Sequence, residues 1–582
     1  MTLEKIGSMG GIAFLVFAIL SILLAALLGL KRGVFKSAVR TISLLASAFV
    51  SLFLVKMLLP SLLKVLTEKI LQSLSDSEGA LKDILQAETS FAVLEALVLA
   101  VVAPLIFMLV YFIVNKLFLI VCFIVNLVLK PMTEPVEKKI PCRRLFGALI
   151  SVVGALVTLV VISTPIAGYT EMLDHTVAHI ESSDSAHDEA SDGVAKTLHD
   201  IEPLTHGFAD SVAVSIPYKM GGNLFYKSLT SIHIEKNAGV IDEAIDTSLE
   251  KELIGVLDLL PIADSFGDIS FADIEGMNID PLRKVAETLD DQESSAIVRV
   301  MMADIFSTAS NRWLEGETYL TVDLMGLLQG DAAMFRPSVE VILSGLADTH
   351  VSSIGQDVIV LVETFDGIQK TFLYMMVIAD SVEKGEIAKV EDVVNMLESL
   401  TPQSAAAMSA SMTDIMKTTG IGDEYAESLG GILTGALGEM AELNQDKSEE
   451  GQEHVHKEAA ALNTVLTLAM NPDVEMTEDM ADDLIESVMD STILKHSIQN
   501  GVKEAEDDSV PTMALPEESA DKVQAKIDAY EAANELDEEQ KDTLDSLRTF
   551  FATKTVVEGE ENEGGNEQFP GLNVGFDDLE NS

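Results

Sequence analysis

The chain has 582 residues and carries 93 Asp and Glu against 38 Lys and Arg, a formal net charge of −55. So acidic a chain speaks against nucleic acid as a partner, because binding phosphates needs clustered Lys and Arg. Residues 1–170 hold 15 basic and 9 acidic side chains, whereas the other 412 residues hold 23 and 84. Long apolar runs stop at the same place, so the switch near Tyr169 predicts a membrane boundary.

Two spans are predicted at the start of the chain. Residues 9–30 form an apolar run that can cross a hydrocarbon core of about 30 Å, and a second span is expected over 37–59, ended by Pro60. The connection Lys31–Arg40 is basic and therefore cytoplasmic by the positive-inside rule, which places the N-terminus outside. The amphipathic stretch 61–90 that follows suits a helix lying on the outer interface.

The third hydrophobic segment is longer than a bilayer. Its apolar residues extend from a span over 91–115 to position 129. Two spans would need a turn near Asn115, where the sequence has no Gly or Pro, and would leave the basic residues after 129 outside. We therefore predict one long tilted helix, followed by a last span over 145–168. With four spans, both termini and the 412 residues of the acidic region lie outside. The chain is therefore predicted to be a multi-pass protein of a bacterial cell membrane.

The basic turns resemble a known family. The sequence Gly-Leu-Lys-Arg-Gly at 29–33 resembles the turn after the first span of the CvpA family, named for colicin V production, which has four spans. The last span also resembles that family, with small residues at four-residue steps. The resemblance covers about residues 1–170 and implies a role in the production or export of a secreted toxin, or in envelope homeostasis. The predicted turn and packing residues are Gly29, Lys31, Arg32, Gly33, Arg143, Arg144, Gly147, Ser151 and Ala155.

Physical chemistry gives these residues roles without the family. Gly33 permits a tight turn, Lys31 and Arg32 hold that turn at the inner face, and the small residues of the last span allow another helix to approach closely. Candidate polar residues within the third hydrophobic segment are Glu95, Asn115 and Lys116. They either anchor the helix at the two interfaces or line an ion path.

The acidic remainder has a helical apolar period, so we predict an all-α fold class throughout. A juxtamembrane linker is expected over 171–200, an acidic helical extracytoplasmic region of one or two units over 201–503, and a linker over 504–518. A helical hairpin over 519–552 and a disordered acidic tail over 553–582 complete the chain.

Chemistry-bearing motifs are sparse. Five of the ten histidines cluster at His175, His179, His187, His199 and His206. The first two are one helical turn apart, but no Cys joins them and the Glu of a His-Glu-x-x-His motif is missing, so solvated polar residues are the better interpretation than a metal site. We predict no catalytic residue, metal or other cofactor, and both cysteines, Cys122 and Cys142, lie in the membrane part.

The sequence therefore favours a non-enzymatic, CvpA-like membrane protein that anchors an acidic interaction domain. Its expected partners are the lipid bilayer, further copies of itself or other envelope proteins. The alternative is an oligomeric channel or transporter subunit with a path lined by the three polar residues of the third helix. A third hypothesis is an extracellular hydrolase that uses the histidine cluster.

Overall fold

We analysed a computed structural model, which describes residues 3–74, 88–137, 139–182, 211–237, 239–265, 279–290, 294–383, 389–418, 423–470, 476–504 and 516–551. Helices dominate this part of the chain, so the predicted all-α class is confirmed. The predicted tail over 553–582 lies outside the described residues, as do residues 75–87 of the amphipathic stretch.

Four long helices begin the chain: α1 (Leu3–Arg32), α2 (Val34–Leu74), α3 (Glu88–Glu137) and α4 (Arg143–Ser182). Each contains a segment long and apolar enough to cross a membrane, which confirms the four predicted spans. These candidate spans are Met9–Arg32, Val34–Ser61, Ala92–Glu137 and Arg143–His179.

Several helix ends differ from the predictions. Pro60 lies inside α2, so the prediction that it ends the helix is wrong. A proline is tolerated there because neighbouring groups in a membrane bundle can compensate for the backbone hydrogen bond that it removes. The predicted connection Lys31–Arg40 is reduced to Gly33, since α2 already begins at Val34. The third helix is continuous through Asn115, as predicted, and extends to Glu137.

The four helices form a bundle in which α1 packs mainly on α4, and α2 lies between α3 and α4. The bundle interior holds a buried cluster that includes Ala48, Phe107 and Val161. The predicted linker starts as helix, because α4 continues to Ser182 without a break.

A first helical unit follows the bundle. A strand pair, β1 (Ser231–Ile234) and β2 (Ile245–Ser248), runs antiparallel, with Ile232 opposite Thr247. The elements before and after this pair are α5 (Val212–Pro217), a π-helix (Tyr218–Gly222), α6 (Asn223–Thr230), α7 (Leu249–Ser265), α8 (Asp280–Asp290), α9 (Ala296–Leu314), α10 (Leu324–Leu327), a 3₁₀-helix (Gly330–Phe335), α11 (Arg336–Ala347) and α12 (Ile354–Glu383).

A second unit is built from the remaining helices and has its own buried core. Its elements are α13 (Val390–Ser399), α14 (Pro402–Thr418), α15 (Asp423–Leu443), α16 (Glu449–Met470), α17 (Glu478–Asp490), α18 (Thr492–Glu504), α19 (Glu517–Ala533) and α20 (Glu538–Phe550). The last two form the predicted hairpin. Their residues Val523 and Leu547 share this core with Leu397, so the hairpin is part of the second unit.

One helix belongs to both units. The first half of α12 contributes Ile354 and Val358 to the core of the first unit. Farther along the same helix, Tyr374 is buried in the core of the second unit and donates a hydrogen bond to Asn463 Oδ1 at 2.8 Å. Because this helix is continuous, it connects the two units without a loop.

Buried glutamates fix helix starts in both units. In the first, Glu252 is 1% exposed and accepts hydrogen bonds from Ser295 Oγ (2.6 Å) and Ile297 N (2.9 Å) at the start of α9. In the second, Glu458 is fully buried and accepts from Ser491 Oγ and from Thr492 N at the start of α18. A carboxylate at a helix N-terminus satisfies free N–H groups and interacts favourably with the helix dipole.

Candidate functional site

The predicted glycine turn joins α1 and α2. Gly33 has φ +83°, a conformation that L-residues with a side chain rarely adopt, and its N–H donates to the Gly29 carbonyl at 3.0 Å. The carboxylate of Glu137 lies against Gly33, so that a Cβ there would come within 1.8 Å of its Oε1 atom. A side chain at Gly33 is therefore disfavoured mainly by the positive φ, and it would also require the Glu137 carboxylate to move.

The start of α4 packs directly on this turn. A Cβ on Gly147 would lie 2.6 Å from the Gly29 carbonyl oxygen and 2.8 Å from that of Gly33. Likewise, a Cβ on Gly29 would lie 2.7 Å from Ser151 Oγ. Four small residues from the two predicted motifs thus meet at one backbone-to-backbone contact, which is the packing that small residues allow in membrane helices.

Hydroxyl groups continue this contact along α2 and α4. Ser151 Oγ donates to Ser37 Oγ at 3.0 Å, and Thr41 Oγ1 donates to the Ile150 carbonyl at 2.8 Å. Ala155 is half-buried on the same stretch. Such bonds between membrane helices contribute on average about 0.6 kcal/mol each.

The predicted basic residues lie at this end of the bundle. Lys31, Arg32 and Arg144 are exposed, and Arg143 is half-buried. We call this end, defined by the Gly33 turn and the start of α4, the basic end, and the opposite end of the bundle the distal end.

The structure does not bring the three predicted intramembrane polar residues together. Glu95 and Asn115 are 20 positions apart on α3, which corresponds to about 30 Å along a helix. Asn115 is half-buried, and its Oδ1 atom is enclosed with no hydrogen-bond partner among the described residues. Lys116 is exposed.

A polar cluster that the sequence analysis missed lies inside the bundle. Tyr111 is fully buried, and its hydroxyl is 3.1 Å from Thr158 Oγ1 and also interacts with Ser47. Arg40 lies beside the Cys122 thiol, and its Nη1 atom is enclosed without a hydrogen-bond partner in the described part of the chain. An arginine within a membrane helix marks a functional candidate. The available signal was the position of Arg40 inside the second predicted span.

The distal ends of α3 and α4 enter the first helical unit. Val93 and Ala100 of α3 belong to the same buried cluster as Ile232 and Val300 of that unit. On α4, His175 Nδ1 lies 2.5 Å from Glu250 Oε1 of α7. The bundle and the first helical unit therefore share one hydrophobic core.

The histidine cluster is divided by the fold. His175 pairs with Glu250, and His179 follows one turn later on α4. The other three, His187, His199 and His206, lie outside the described residues. Among the residues that the structure describes, no group of three or more His, Cys, Asp or Glu could hold a metal ion.

Comparisons with known proteins returned no matching family model, no similar curated protein and no similar solved structure. The length and composition of the first four helices, together with the helical region that follows, define the class: a membrane protein with four candidate spans and a large helical region.

We expect Gly147→Ala to destabilise the bundle by roughly 1–3 kcal/mol, because the added methyl overpacks the contact with Gly29 and Gly33. Leu149→Ala is the matched control, since Leu149 is 56% exposed and its truncation should stay within about 0.5 kcal/mol. Thermal unfolding of the detergent-solubilised full chain measures both. Equal stability of Gly147→Ala and the parent protein would contradict this close contact.

Val93→Ala tests the shared core. Val93 is fully buried, so we expect a loss of roughly 2 kcal/mol and faster amide hydrogen exchange in α9, which belongs to the helical unit and not to the span. The neighbouring Leu94 is 36% exposed, and Leu94→Ala should leave exchange in α9 unchanged. Unchanged exchange in both variants would mean that the two parts do not share a core.

Proposed function

We propose that this protein is a non-enzymatic, multi-pass protein of a bacterial cell membrane that holds an acidic helical domain rigidly against the extracytoplasmic face. The shared core carries the proposal, because Val93 of a membrane helix is buried with Val300 of the helical region. A domain fastened in this way keeps a set orientation to the bilayer. A flexible tether would not impose that orientation.

The direction of insertion follows from the charges. Lys31, Arg32, Arg143 and Arg144 lie at the basic end, which the positive-inside rule assigns to the cytoplasm. The distal end, the helical region and both chain termini are then extracytoplasmic. Residues 171–582, with 84 acidic and 23 basic side chains, belong to that side.

A relationship to the CvpA family is part of the proposal. Its support is that the glycines of the two resembling motifs, Gly33 and Gly147, serve one close helix contact, which gives the motifs a common structural reason. A role in toxin production or export, or in envelope homeostasis, follows from this resemblance. The acidic surface suits partners with exposed basic segments, and further copies of the chain are the other candidate partner.

Cysteine labelling tests the direction. Native Cys142 is exposed near the basic end, and Cys122 is buried, so Cys142 should react with a membrane-impermeant maleimide only after cells or spheroplasts are permeabilised. A cysteine at Glu235 in a Cys142→Ser background should react in the intact preparation, because Glu235 is exposed in the helical unit. The reverse pattern would place the acidic domain in the cytoplasm and refute the proposal.

A channel or transporter subunit is the second candidate function, and the polar cluster of Arg40, Tyr111 and Thr158 favours it. If it is correct, liposomes that contain the folded protein conduct Cl⁻, because an arginine in the path favours an anion, and Arg40→Gln abolishes the flux. Glu134→Gln, at an exposed position near the basic end, retains it. Liposomes with folded oligomer but no flux above that of empty liposomes would exclude Cl⁻ conduction.

A further inference from the structure

The segment Ser211–Thr230 differs from the rest of the acidic region in composition and in packing. It comprises α5, the π-helix and α6, and it was predicted to be part of the extracytoplasmic domain. From Ser211 to Ile234 the sequence contains no Asp or Glu, although acids outnumber bases 84 to 23 after residue 170. Its buried residues also cluster with the membrane helices and not with the hydrophobic core of the first helical unit.

One face of the segment is buried on α1 and α4. Ser211 Oγ donates to the Gly11 carbonyl of α1 at 3.2 Å, and Ala213 shares a buried cluster with Ala18 and Leu159. Leu159 lies 16 residues beyond Arg143, or about 24 Å from the start of α4. Since a hydrocarbon core is about 30 Å thick, this contact falls within the depth of the membrane.

The second half of the segment enters the bundle from the same side. The ring of Phe225 lies 5.8 Å from Phe49 of α2 and 5.3 Å from Phe107 of α3, measured between centroids. Phe49 is 15 residues beyond Val34, or about 22 Å along α2. Both halves of the segment therefore contact candidate spans at the level of the hydrocarbon core.

The opposite face is a stripe of large apolar side chains. Val212, Ile216, Met220 and Leu224 recur every four residues and are 62%, 50%, 61% and 76% exposed. The stripe lies on a segment that packs on α1, and outward side chains of the candidate span in α1, such as Ile12, are exposed to a similar degree. An exposed apolar stripe beside the outward face of a span is expected to contact lipid, as that face does.

The basic residues and the two ends of the segment are also consistent with a position within the depth of the membrane. Its two basic residues, Lys219 and Lys227, are exposed and long enough for their amines to reach headgroups. The chain leaves α4 at the distal end and continues from Thr230 into β1 of the helical unit, which is also at that end. Both ends of the segment therefore lie on one side of the membrane.

We propose that Ser211–Thr230 is a re-entrant membrane segment, whose stripe of Val212, Ile216, Met220 and Leu224 contacts lipid acyl chains in the leaflet at the distal end. Its broken helix does not cross the bilayer, and its irregular backbone is tolerated because the spans cover its other face. The acidic domain is then joined to the membrane by this segment in addition to the ends of α3 and α4.

Spin-label accessibility tests the proposal on the full chain in liposomes. Single cysteines at Leu224, and independently at Ile216, are introduced into a Cys122→Ala, Cys142→Ser background and labelled with a nitroxide. The lipid control is Leu20→Cys on α1, which is 60% exposed, and the water control is Glu235→Cys. We expect the ratio of collision rates with O₂ and with nickel-EDDA at Leu224 and Ile216 to match that at Leu20 and to exceed severalfold that at Glu235.

Two results would overturn the proposal. Ratios at both positions equal to that at Glu235 would place the stripe in water. Protection from both reagents, together with dipolar broadening between labels, would place a second copy of the chain on the stripe in place of lipid. Because the labelled side chains point away from the buried face, neither substitution disturbs the packing on α1 and α4.

Discussion

The hydrophobic core shared by the bundle and the first helical unit is the constraint on which the arrangement of this protein depends. Val93 and Ala100 lie on a membrane helix, yet they are buried by Ile232, Val300 and their neighbours. The unit cannot move away from the membrane without exposing this apolar surface to water, which costs about 25 cal/mol per Å². The position of the first helical unit is therefore fixed by its packing on the end of a membrane helix.

The same rigidity extends beyond the first unit. Because α12 is one continuous helix with Val358 in one core and Tyr374 in the other, the second unit is connected through a helix that both cores hold. The proposed re-entrant segment adds a contact with lipid next to the shared core. The protein is then a bundle of four candidate spans with a large helical region fixed to one end.

Much of the membrane part could be predicted from the sequence. Backbone groups in a bilayer must be satisfied within helices, so an apolar run of sufficient length has few alternatives. The number of four spans also required the positive-inside rule, which decided that the third segment is one helix. Gly33 was predicted to permit a tight turn and Gly147 to let another helix approach closely, and the structure brings these two residues into one contact. The error at Pro60 arose from applying a rule for helices in water to a helix packed in a bundle.

The sequence by itself determined the helical class, the number of spans and the charge contrast between the two parts, because these depend on local periodicity and composition. Only the tertiary structure decided that Gly147 faces Gly29 and Gly33, that Arg40 and Tyr111 lie near each other inside the bundle, and that Ser211–Thr230 lies along the spans. Such contacts join positions up to 200 residues apart. A local sequence pattern does not predict these contacts, because an amphipathic segment can bury its apolar face against many partners. The packing of the whole chain determines which partner it meets.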